Sequence, residues 1–374
     1  MQLKVGALLA STGAFFFASA AVAAPVATTA NFIVLGNSLS DNGNTGALLH
    51  TTAYWDGRFS NSYVWDEYTA KLLGMNLVNL AYGGATSNNA ISPVVQNGIT
   101  IPSLHDQVNM LLAKYPSPSQ FHLENDVIQI EIGGNDIFAA IDGLLNGTLS
   151  LQTFAMEVGQ SIASDIQTLV DAGYKNIDLW NLPVIQKTPM VVSNPTYSAY
   201  AGAVVATMNS AIKQLVETVA ENNKAKTQGI HVFDLFSLMT AALEPQVLAA
   251  LKITDSTDAC YTTVNNVVNV CSNPDVHFFY DDIHPASRMH YLWGVSAAVL
   301  TRNPNAQLGV NELLSLISTF NIGQSDRNDN LIVDGITSSE SAAVPPGSTA
   351  TETAPTATAT AVPTYSTIYV NKCH

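Results

Sequence analysis

The sequence has few charged residues, and the positive ones are the scarcer kind. Its 374 residues include 14 Lys and Arg against 29 Asp and Glu, which gives a formal net charge of −15 at pH 7. This balance disfavours nucleic acids and anionic lipid headgroups as principal partners, because both are bound by basic surfaces. Only 11% of the residues are charged while 47% are hydrophobic, a composition that suits a secreted protein with a large core.

Long hydrophobic runs are missing from the interior of the sequence, where none approaches the roughly 20 residues of a transmembrane helix. One apolar run, over 6–18, lies at the N terminus, after Lys4 and before small residues at 21–23. This order is typical of a secretory signal peptide, and a buried N-terminal helix is the alternative. We expect residues 1–24 to be a signal peptide, the protein to be extracellular, and no integral membrane segment to remain.

Aromatic residues become rare near the C terminus. Residues 337–363 are mainly Thr, Ala, Ser and Pro, and such a segment cannot bury enough apolar surface to offset the entropy of ordering. We therefore predict one folded domain over 25–322 and a polar, disordered tail over 323–374 that offers a route to cell-wall association. Residues 326–330 faintly resemble a calcium loop without its glycine and final acid, so a solvated loop is favoured.

Cysteine is also scarce, with three in the chain. Cys260 and Cys271 lie eleven residues apart, and in a secreted protein we expect them to form a disulfide, two free thiols being the alternative. Cys373 is then left over. The eight histidines show no metal-site spacing, and no phosphate or dinucleotide motif is present, so no cofactor is predicted. Asn146 begins an Asn-Gly-Thr sequon and is a predicted glycosylation site.

Between the two ends, short apolar runs alternate with helical patterns. Runs typical of strands cover 31–36, 78–82, 126–132, 176–180 and 230–234. Helical spacing covers 104–112, 205–219 and 288–300, the last of which is predicted to be the final helix. This alternation predicts an α/β fold, a three-layer αβα sandwich around a five-stranded parallel sheet. Reactive groups in such sheets gather at the carboxyl ends of the strands.

Three of the predicted strands end in polar residues and glycines. Ser38 follows the first strand in a loop that enters a helix, which suits a nucleophile, although a helix-capping serine fits equally well. Gly83 and Gly84 follow the second strand, where they allow backbone N–H groups to approach a ligand or simply form a tight turn. Asn135 follows the third strand, where its amide can donate to a developing oxyanion or close an Asx turn.

A fourth segment lies before the final predicted helix and contains Asp281 and His284. A histidine that activates a serine hydroxyl needs a carboxylate to orient it, and this spacing lets one turn direct both toward the same cleft. The alternative is that Asp281 or Asp282 caps the helix while His284 is a surface residue. His277 is a weaker candidate for the base.

In this order, the blocks GNSLSDNGN, NLAYGGATS, GGND and DDIHP make residues 32–300 resemble the GDSL, or SGNH, hydrolases, a family of esterases and lipases. The block over 54–65 is similar to the branch that includes secreted carbohydrate acetylesterases and hemolysin-type phospholipases. The resemblance implies that Ser38 is the nucleophile, His284 the general base and Asp281 its orienting acid, with Asp282 as a fallback.

The resemblance also implies an oxyanion hole formed by the backbone N–H groups of Ser38 and Gly84 and the side-chain amide of Asn135. The sequence departs from the family at Asn37, where the usual residue is aspartate. Asparagine has nearly the same shape but no charge. We expect altered local hydrogen bonding or pH response here, with the chemistry still possible.

These features predict a secreted serine esterase that cleaves carboxylic esters through an acyl-Ser38 intermediate. Acetyl esters of carbohydrates or short-chain esters are the expected substrates, and a lipase or phospholipase for longer acyl chains is the alternative. Aromatic residues at 54, 55, 59 and 65 fit a sugar site, an acyl site or the core. A hypothesis of a different class is a catalytically weak, wall-associated binding protein. We expect a monomer whose partner is its ester substrate.

Overall fold

The computed structural model describes residues 30–49, 54–115, 123–265 and 267–324. Several predictions fall outside these ranges. They are the signal peptide over 1–24, most of the tail over 323–374, the loop over 326–330 and the leftover Cys373. Among the described residues, no helix combines the length and the apolar character needed to cross a membrane.

The described strands, in chain order, are β1 (Asn31–Gly36), β2 (Asn76–Asn79), β3 (Val95–Gln96), β4 (Ile99–Thr100), β5 (Val127–Glu131), β6 (Asn176–Trp180), β7 (Gly229–Phe233), β8 (Asp255–Ala259), β9 (Tyr261–Val264), β10 (Val267–Val270) and β11 (His277–Phe279). Five of them form one parallel sheet in the order β2-β1-β5-β6-β7. The predicted fold class, with its five-stranded parallel sheet, is confirmed.

The described helices are α1 (Asn44–Leu49), α2 (Trp65–Leu73), α3 (Leu104–Lys114), α4 (Gly134–Leu145), α5 (Leu151–Asp171), α6 (Pro189–Val192), α7 (Pro195–Asn222), α8 (Leu235–Ala242), α9 (Pro245–Ala250), α10 (Ser287–Arg302) and α11 (Val310–Thr319). The prediction that the helix over 288–300 is the final one is wrong. Helix α11 follows it and buries Leu313 and Ile317 in the hydrophobic core that also contains residues of α10.

Strand β1 shows how the sheet is covered on both faces. Ile33 and Leu35 pack into a core with α3, α4, α5 and α7, while Phe32 and Val34 pack into a second core with α2, α8, α10 and α11. All four side chains are completely buried. Because neighbouring residues of a strand point to opposite faces, an unbroken apolar run is the pattern of a strand between two helical layers.

The second predicted strand, 78–82, is placed too late in the chain, since β2 covers Asn76–Asn79. The N–H groups of Leu80 and Tyr82 still donate to carbonyl oxygens of β1 and its end, at 2.9 and 3.1 Å. The strand nevertheless ends at Asn79. The side chain of Asn79 accepts the N–H of Ala81 and donates to the carbonyl of Ser40. As an edge strand, β2 begins with half-exposed and exposed residues, so its start has little hydrophobic signal.

Small paired strands outside the main sheet were not predicted. Strands β3 and β4 form one antiparallel hairpin, β9 and β10 form another, and β8 pairs with β11 in parallel. Each is short, and polar residues interrupt any alternation. The disulfide between Cys260 and Cys271 closes the base of the β9–β10 hairpin, as the sequence predicted.

Candidate active site

Three neighbouring strands bring the chemically interesting loops together. In the sheet, β1 lies between β2 and β5, and the strands are parallel, so their carboxyl ends share one edge. Ser38 follows β1, Gly84 follows β2 and Asn135 follows β5. The adjacency explains why residues about 50 positions apart in the sequence meet at one site.

Ser38, His284 and Asp281 form a continuous chain of polar contacts. The Oγ of Ser38 lies 2.7 Å from Nε2 of His284. The other ring nitrogen of His284, Nδ1, lies 2.8 and 2.9 Å from the two carboxylate oxygens of Asp281. All three side chains are buried. The arrangement has the geometry in which a histidine can take a proton from a serine hydroxyl while a carboxylate orients it.

The Asp281 carboxylate is held by donors on every side. The backbone N–H groups of Ile283 and His284 donate to one oxygen at 2.8 and 2.7 Å, and the Tyr54 hydroxyl donates to the other at 2.8 Å. Burial by itself would raise the pKa of Asp281, but the adjacent His284 and these hydrogen bonds bring the pKa below its usual value. The acid therefore stays ionised in an enclosed site.

The alternative readings of these residues do not match the geometry. Helix α1 begins at Asn44, so Ser38 does not cap it. The residue before α10 is Ala286, which makes no side-chain cap, and His284 is buried. Asp282 is exposed, and its backbone carbonyl accepts the N–H of Met190 at 3.0 Å. The Nδ1 of His277 faces the β8 segment, 3.3 Å from the carbonyl oxygen of Asp258.

Gly84 and Asn135 are linked through Ala85, which follows Gly84 in the chain and contacts Asn135. The side-chain amide of Asn135 donates to the Ala85 carbonyl at 2.8 Å. Gly84 has a φ of 89°, and a Cβ there would lie 2.5 Å from Nε2 of Gln96, so only glycine allows the turn and the close approach of β3. The two predictions for this glycine, a tight turn and a close approach of its backbone N–H to a ligand, are therefore compatible.

Several buried residues that hold the loops were not predicted from the sequence. Asp41 accepts the N–H groups of Gly43 and Gly83, both at 2.8 Å, and so ties the nucleophile loop to the loop after β2. Gln107 of α3 brackets Gly36, accepting its N–H at 2.8 Å and donating to its carbonyl at 2.9 Å. The distant partners, Gly83 for Asp41 and Gly36 for Gln107, lie 42 and 71 residues away in the sequence, where no local pattern indicates them.

Comparison with known proteins fits this geometry. Residues 32–294, more than half of the chain, match the model of the GDSL-like lipase/acylhydrolase family. The chain belongs to this family. The family is one of lipases and acylhydrolases, so membership supports an ester hydrolase.

This GDSL chain spans 60% and 50% of the length of two of its relatives. A thermolabile hemolysin of Vibrio parahaemolyticus is 28% identical over 69% of this chain and 60% of the relative. An acetylesterase of Thermothelomyces thermophilus is 30% identical over 41% of this chain and 50% of the relative. Among solved structures, an acetylxylan esterase from Geobacillus stearothermophilus is 15% identical, with a TM-score of 0.39 over 74% of this chain and 95% of that one.

The departure from the GDSL pattern at Asn37 has a neighbour that explains it. Asn37 accepts the N–H of Leu39 at 2.9 Å and so shapes the turn that carries Ser38. Glu131, at the end of β5, is buried beside this turn and pairs with Gly36 in the sheet register. Burial raises the pKa of Glu131 to about 8, a rise that the Asn37 amide partly opposes. An aspartate at position 37 would place a second buried carboxyl beside Glu131, whereas asparagine adds no charge there.

Glu131 gives a prediction for stability against pH. Its folded pKa of about 8 exceeds the ordinary 4.5, so the free energy of unfolding falls as the pH rises from about 4.5 to 8. Glu131→Gln has no such titration. When the pH is raised from 5 to 8, we expect the wild type to lose about 3 kcal/mol of unfolding free energy relative to Glu131→Gln.

Denaturant unfolding of both proteins at the two pH values measures this shift, and other titrating groups cancel in the comparison. Glu131→Leu controls for the loss of hydrogen bonding and should show the same shift from a lower baseline. An unchanged difference between pH 5 and pH 8 would mean that Glu131 is ionised in the folded protein.

Two cavities with shared wall residues lie near Ser38 in this GDSL domain, and Ser38 lines the inner one. The inner one, of about 50 Å³, has apolar walls apart from Glu131, Thr188 and the site polar groups, and includes Val184, Met239 and Phe278. The outer one, of about 120 Å³, is lined mainly by apolar residues of α4, α6, α7 and the β3–β4 hairpin. Asn135, Phe138 and Ile185 line both cavities. An apolar group on Ser38 thus has the inner cavity beside it, with the outer cavity against the shared wall.

The aromatic residues considered for a substrate site mainly serve the core. Tyr54, Phe59 and Trp65 are buried, and Trp55 packs against Tyr63 with ring centroids 4.7 Å apart. Phe59 touches the site directly, its ring centroid 5.0 Å from that of His284. None of the four lines either cavity beside Ser38.

The predicted glycosylation site is on the surface. Asn146 follows α4 in an exposed turn, where its side-chain oxygen accepts the hydroxyl of Thr148 at 2.6 Å. The position is accessible, and glycosylation of Asn146 stays a prediction.

Proposed function

We propose that the protein is a serine esterase that works through an acyl-Ser38 intermediate. The observation that carries this proposal is the 2.7 Å contact between the Ser38 hydroxyl and Nε2 of His284, whose other nitrogen contacts Asp281. The coarser conclusion, an ester hydrolase of the GDSL family, is already given by the family match. The residue roles and the covalent intermediate belong to the proposal.

In the proposed reaction, His284 takes the Ser38 proton as Oγ attacks the ester carbonyl carbon. The backbone N–H groups of Ser38 and Gly84 and the Asn135 amide donate to the resulting oxyanion. Collapse of this tetrahedral species breaks the bond to the alcohol, which leaves with the proton from His284. Water then attacks the acyl-Ser38 ester with His284 as base, and the carboxylic acid is released. Asp281 stabilises the imidazolium in both steps.

A covalent probe tests the nucleophile. A fluorophosphonate should label the wild-type protein at Ser38, with peptide mapping to identify the site, and should fail to label Ser38→Ala. Labelling at any other serine, or none at all, would contradict the proposal.

We further propose that the acyl group is longer than acetyl. The apolar walls of the inner cavity support this choice, as does the outer cavity that shares Phe138 and Ile185 with it. Each methylene buried there contributes about 0.8 kcal/mol. The sequence-based preference for acetyl esters, with carbohydrate acetates foremost, rests on the resemblance to acetylesterases and on the acidity of the chain, and it is the competing proposal.

A series of p-nitrophenyl esters distinguishes the two. We expect kcat/KM to rise at least tenfold from acetate to octanoate, because up to six more methylenes enter the cavities. Ala201→Leu places bulk in the outer cavity, away from Ser38, and should reduce hydrolysis of octanoate while leaving that of acetate unchanged. A highest rate on acetate and on acetylated xylan would instead support the acetylesterase proposal.

Asn135 gives a second kinetic prediction. Asn135→Ala removes one proposed oxyanion donor, and the loss of such a donor costs about 10²–10³ in kcat. The donor acts on the transition state, so KM should change little. Steady-state kinetics on the butyrate ester measure both constants. Asn135→Asp, which keeps the size but replaces the donor by a carboxylate, should be at least as impaired. A kcat within threefold of wild type in Asn135→Ala would remove Asn135 from the oxyanion hole.

We also propose that the protein acts outside the cell. The Cys260–Cys271 disulfide supports this, because such bonds persist in oxidising compartments. The predicted signal peptide is the other support.

A further inference from the structure

The exposed large hydrophobic side chains of the described residues are concentrated in a few places. They are 38–59% exposed and comprise Val95, Ile99, Val192, Val264, Val267, Val268 and Val270. All of them belong to the β3–β4 hairpin, the end of α6 or the β9–β10 hairpin. We call these three segments the apolar rim. Scattered exposed valines need no explanation, but a concentration in three segments does.

The first two segments of the rim adjoin the cavities beside Ser38. Val95 lines the outer cavity and is also 56% exposed, so it lies where that cavity meets solvent. Met190 and Val191 of α6 line the same cavity, next to the exposed Val192. The N–H of Met190 donates to the carbonyl of Asp282, beside Asp281.

The third segment, the β9–β10 hairpin, is anchored on the acid side of the site. Tyr261 of β9 stacks on Tyr54 with ring centroids 5.5 Å apart, and the Tyr54 hydroxyl donates to Asp281. The N–H of Tyr261 donates to the carbonyl of Tyr280. The disulfide at the base of the hairpin fixes it there, and α6 packs against the neighbouring strand β8. The rim thus adjoins both the acyl cavities and the catalytic loop.

The rim carries no charge, although the protein has a net charge of −15. Residues 92–101, 188–193 and 261–270 contain no Asp, Glu, Lys or Arg. A surface for binding a charged polymer would hold charges of the opposite sign. An uncharged apolar surface around the opening of an apolar cavity instead suits contact with an electrically neutral lipid layer.

We propose that the apolar rim docks the enzyme onto a neutral lipid surface, from which an ester chain enters the cavities beside Ser38. This proposal rests on the proposed esterase function. The occupant is a lipid layer because the rim adjoins the substrate entrance, and a second copy or another segment of this chain seated there would cover it. Lipid provides both the apolar contact and the substrate.

Vesicle binding with an inactive enzyme tests the docking separately from catalysis. Full-length Ser38→Ala is mixed with sucrose-loaded phosphatidylcholine vesicles, which carry no net charge, and the bound fraction is measured by sedimentation. We expect binding that persists at high salt, because it does not depend on charge. The register pairs Val264 with Val267, so Val264→Thr/Val267→Thr changes one face of the hairpin and keeps β-branched side chains.

This double variant, made in Ser38→Ala, should bind vesicles about tenfold more weakly, since two buried valines are lost from the contact. Val268→Thr/Val270→Thr tests the other face. Asn269→Thr, a polar exchange in the same strand, is the matched control and should bind normally. In the active protein, none of these hairpin changes should alter hydrolysis of a water-soluble acetate or butyrate ester.

Two results would overturn the docking proposal. One is normal vesicle binding by both double variants, and the other is absence of vesicle binding by Ser38→Ala while the wild type hydrolyses soluble esters. In the second case, light scattering that shows a dimer dissociated by the valine variants would identify a second copy as the occupant. If the wild type itself did not hydrolyse soluble esters, the esterase function would be contradicted. The vesicle measurement would still test the docking.

Discussion

Replacing Ser38 with alanine is expected to lower ester hydrolysis by about 10⁶-fold in kcat, the scale of loss when a catalytic serine is removed. The change deletes the proposed nucleophile, and His284, which lies 2.7 Å from the Ser38 hydroxyl, then has no hydroxyl to contact. A small residual rate should remain from the oxyanion donors and substrate binding. Measurements of kcat and KM on p-nitrophenyl butyrate, with protein purified free of host esterases, quantify the loss.

The fold should survive this change, since alanine at position 38 removes one hydroxyl and leaves the turn intact. Ser40→Ala is the matched control in the same loop. The Ser40 hydroxyl accepts the indole N–H of Trp65 at 3.1 Å and does not contact His284. We expect Ser40→Ala to lose about 1 kcal/mol of stability and to keep most activity. Wild-type turnover in Ser38→Ala would show that another group is the nucleophile.

The fold was predictable because its signals are local. The interior strands β1, β5 and β6 lie between two helical layers, so most of their residues are apolar and buried, and they can be recognised without knowing their neighbours. The edge strand β2 lacks this protection, and its predicted position was off by several residues. Helix α11 was not predicted, although Leu313 and Ile317, four residues apart, mark one buried face of it.

The core of the site was predictable for a related reason. Parallel strands place their carboxyl ends along one edge, so Ser38, Gly84 and Asn135 meet as soon as their strands are adjacent. The residues that hold them were not predictable. Tyr54 reaches Asp281 across 227 positions, and Gln107 reaches Gly36 across 71. Such contacts depend on where helices and loops pack, which no spacing in the sequence encodes.

Glu131 illustrates a different limit. In the sequence it alternates with apolar residues, as Gln129 of the same strand does, and alternation alone would make it a surface residue. The strand is covered on both faces, so the carboxyl is buried beside Asn37. The unusual residue at position 37 is explained only once this partner is seen, because the two side chains share one buried space at the end of neighbouring strands.

Replacing Asp281 with asparagine is expected to lower kcat by about 10⁴-fold, through the tautomer of His284. Two backbone N–H groups donate to one oxygen of Asp281, so they fix the amide oxygen of the variant at that position. Its NH₂ group then faces Nδ1 of His284 and donates to it. The imidazole proton is forced onto Nε2, which can no longer accept the proton of Ser38.

A kcat–pH profile and two controls test this mechanism. Tyr54→Phe removes a single donor to Asp281 and should cost tenfold or less, since the carboxylate keeps its backbone donors and His284. Asp282→Asn changes an exposed neighbour and should leave kcat unchanged. If Asp281→Asn kept more than a tenth of the wild-type kcat while Asp282→Asn lost most of it, the orienting acid would be Asp282. The 2.8 Å contact between Nδ1 of His284 and Asp281 would then have no catalytic role.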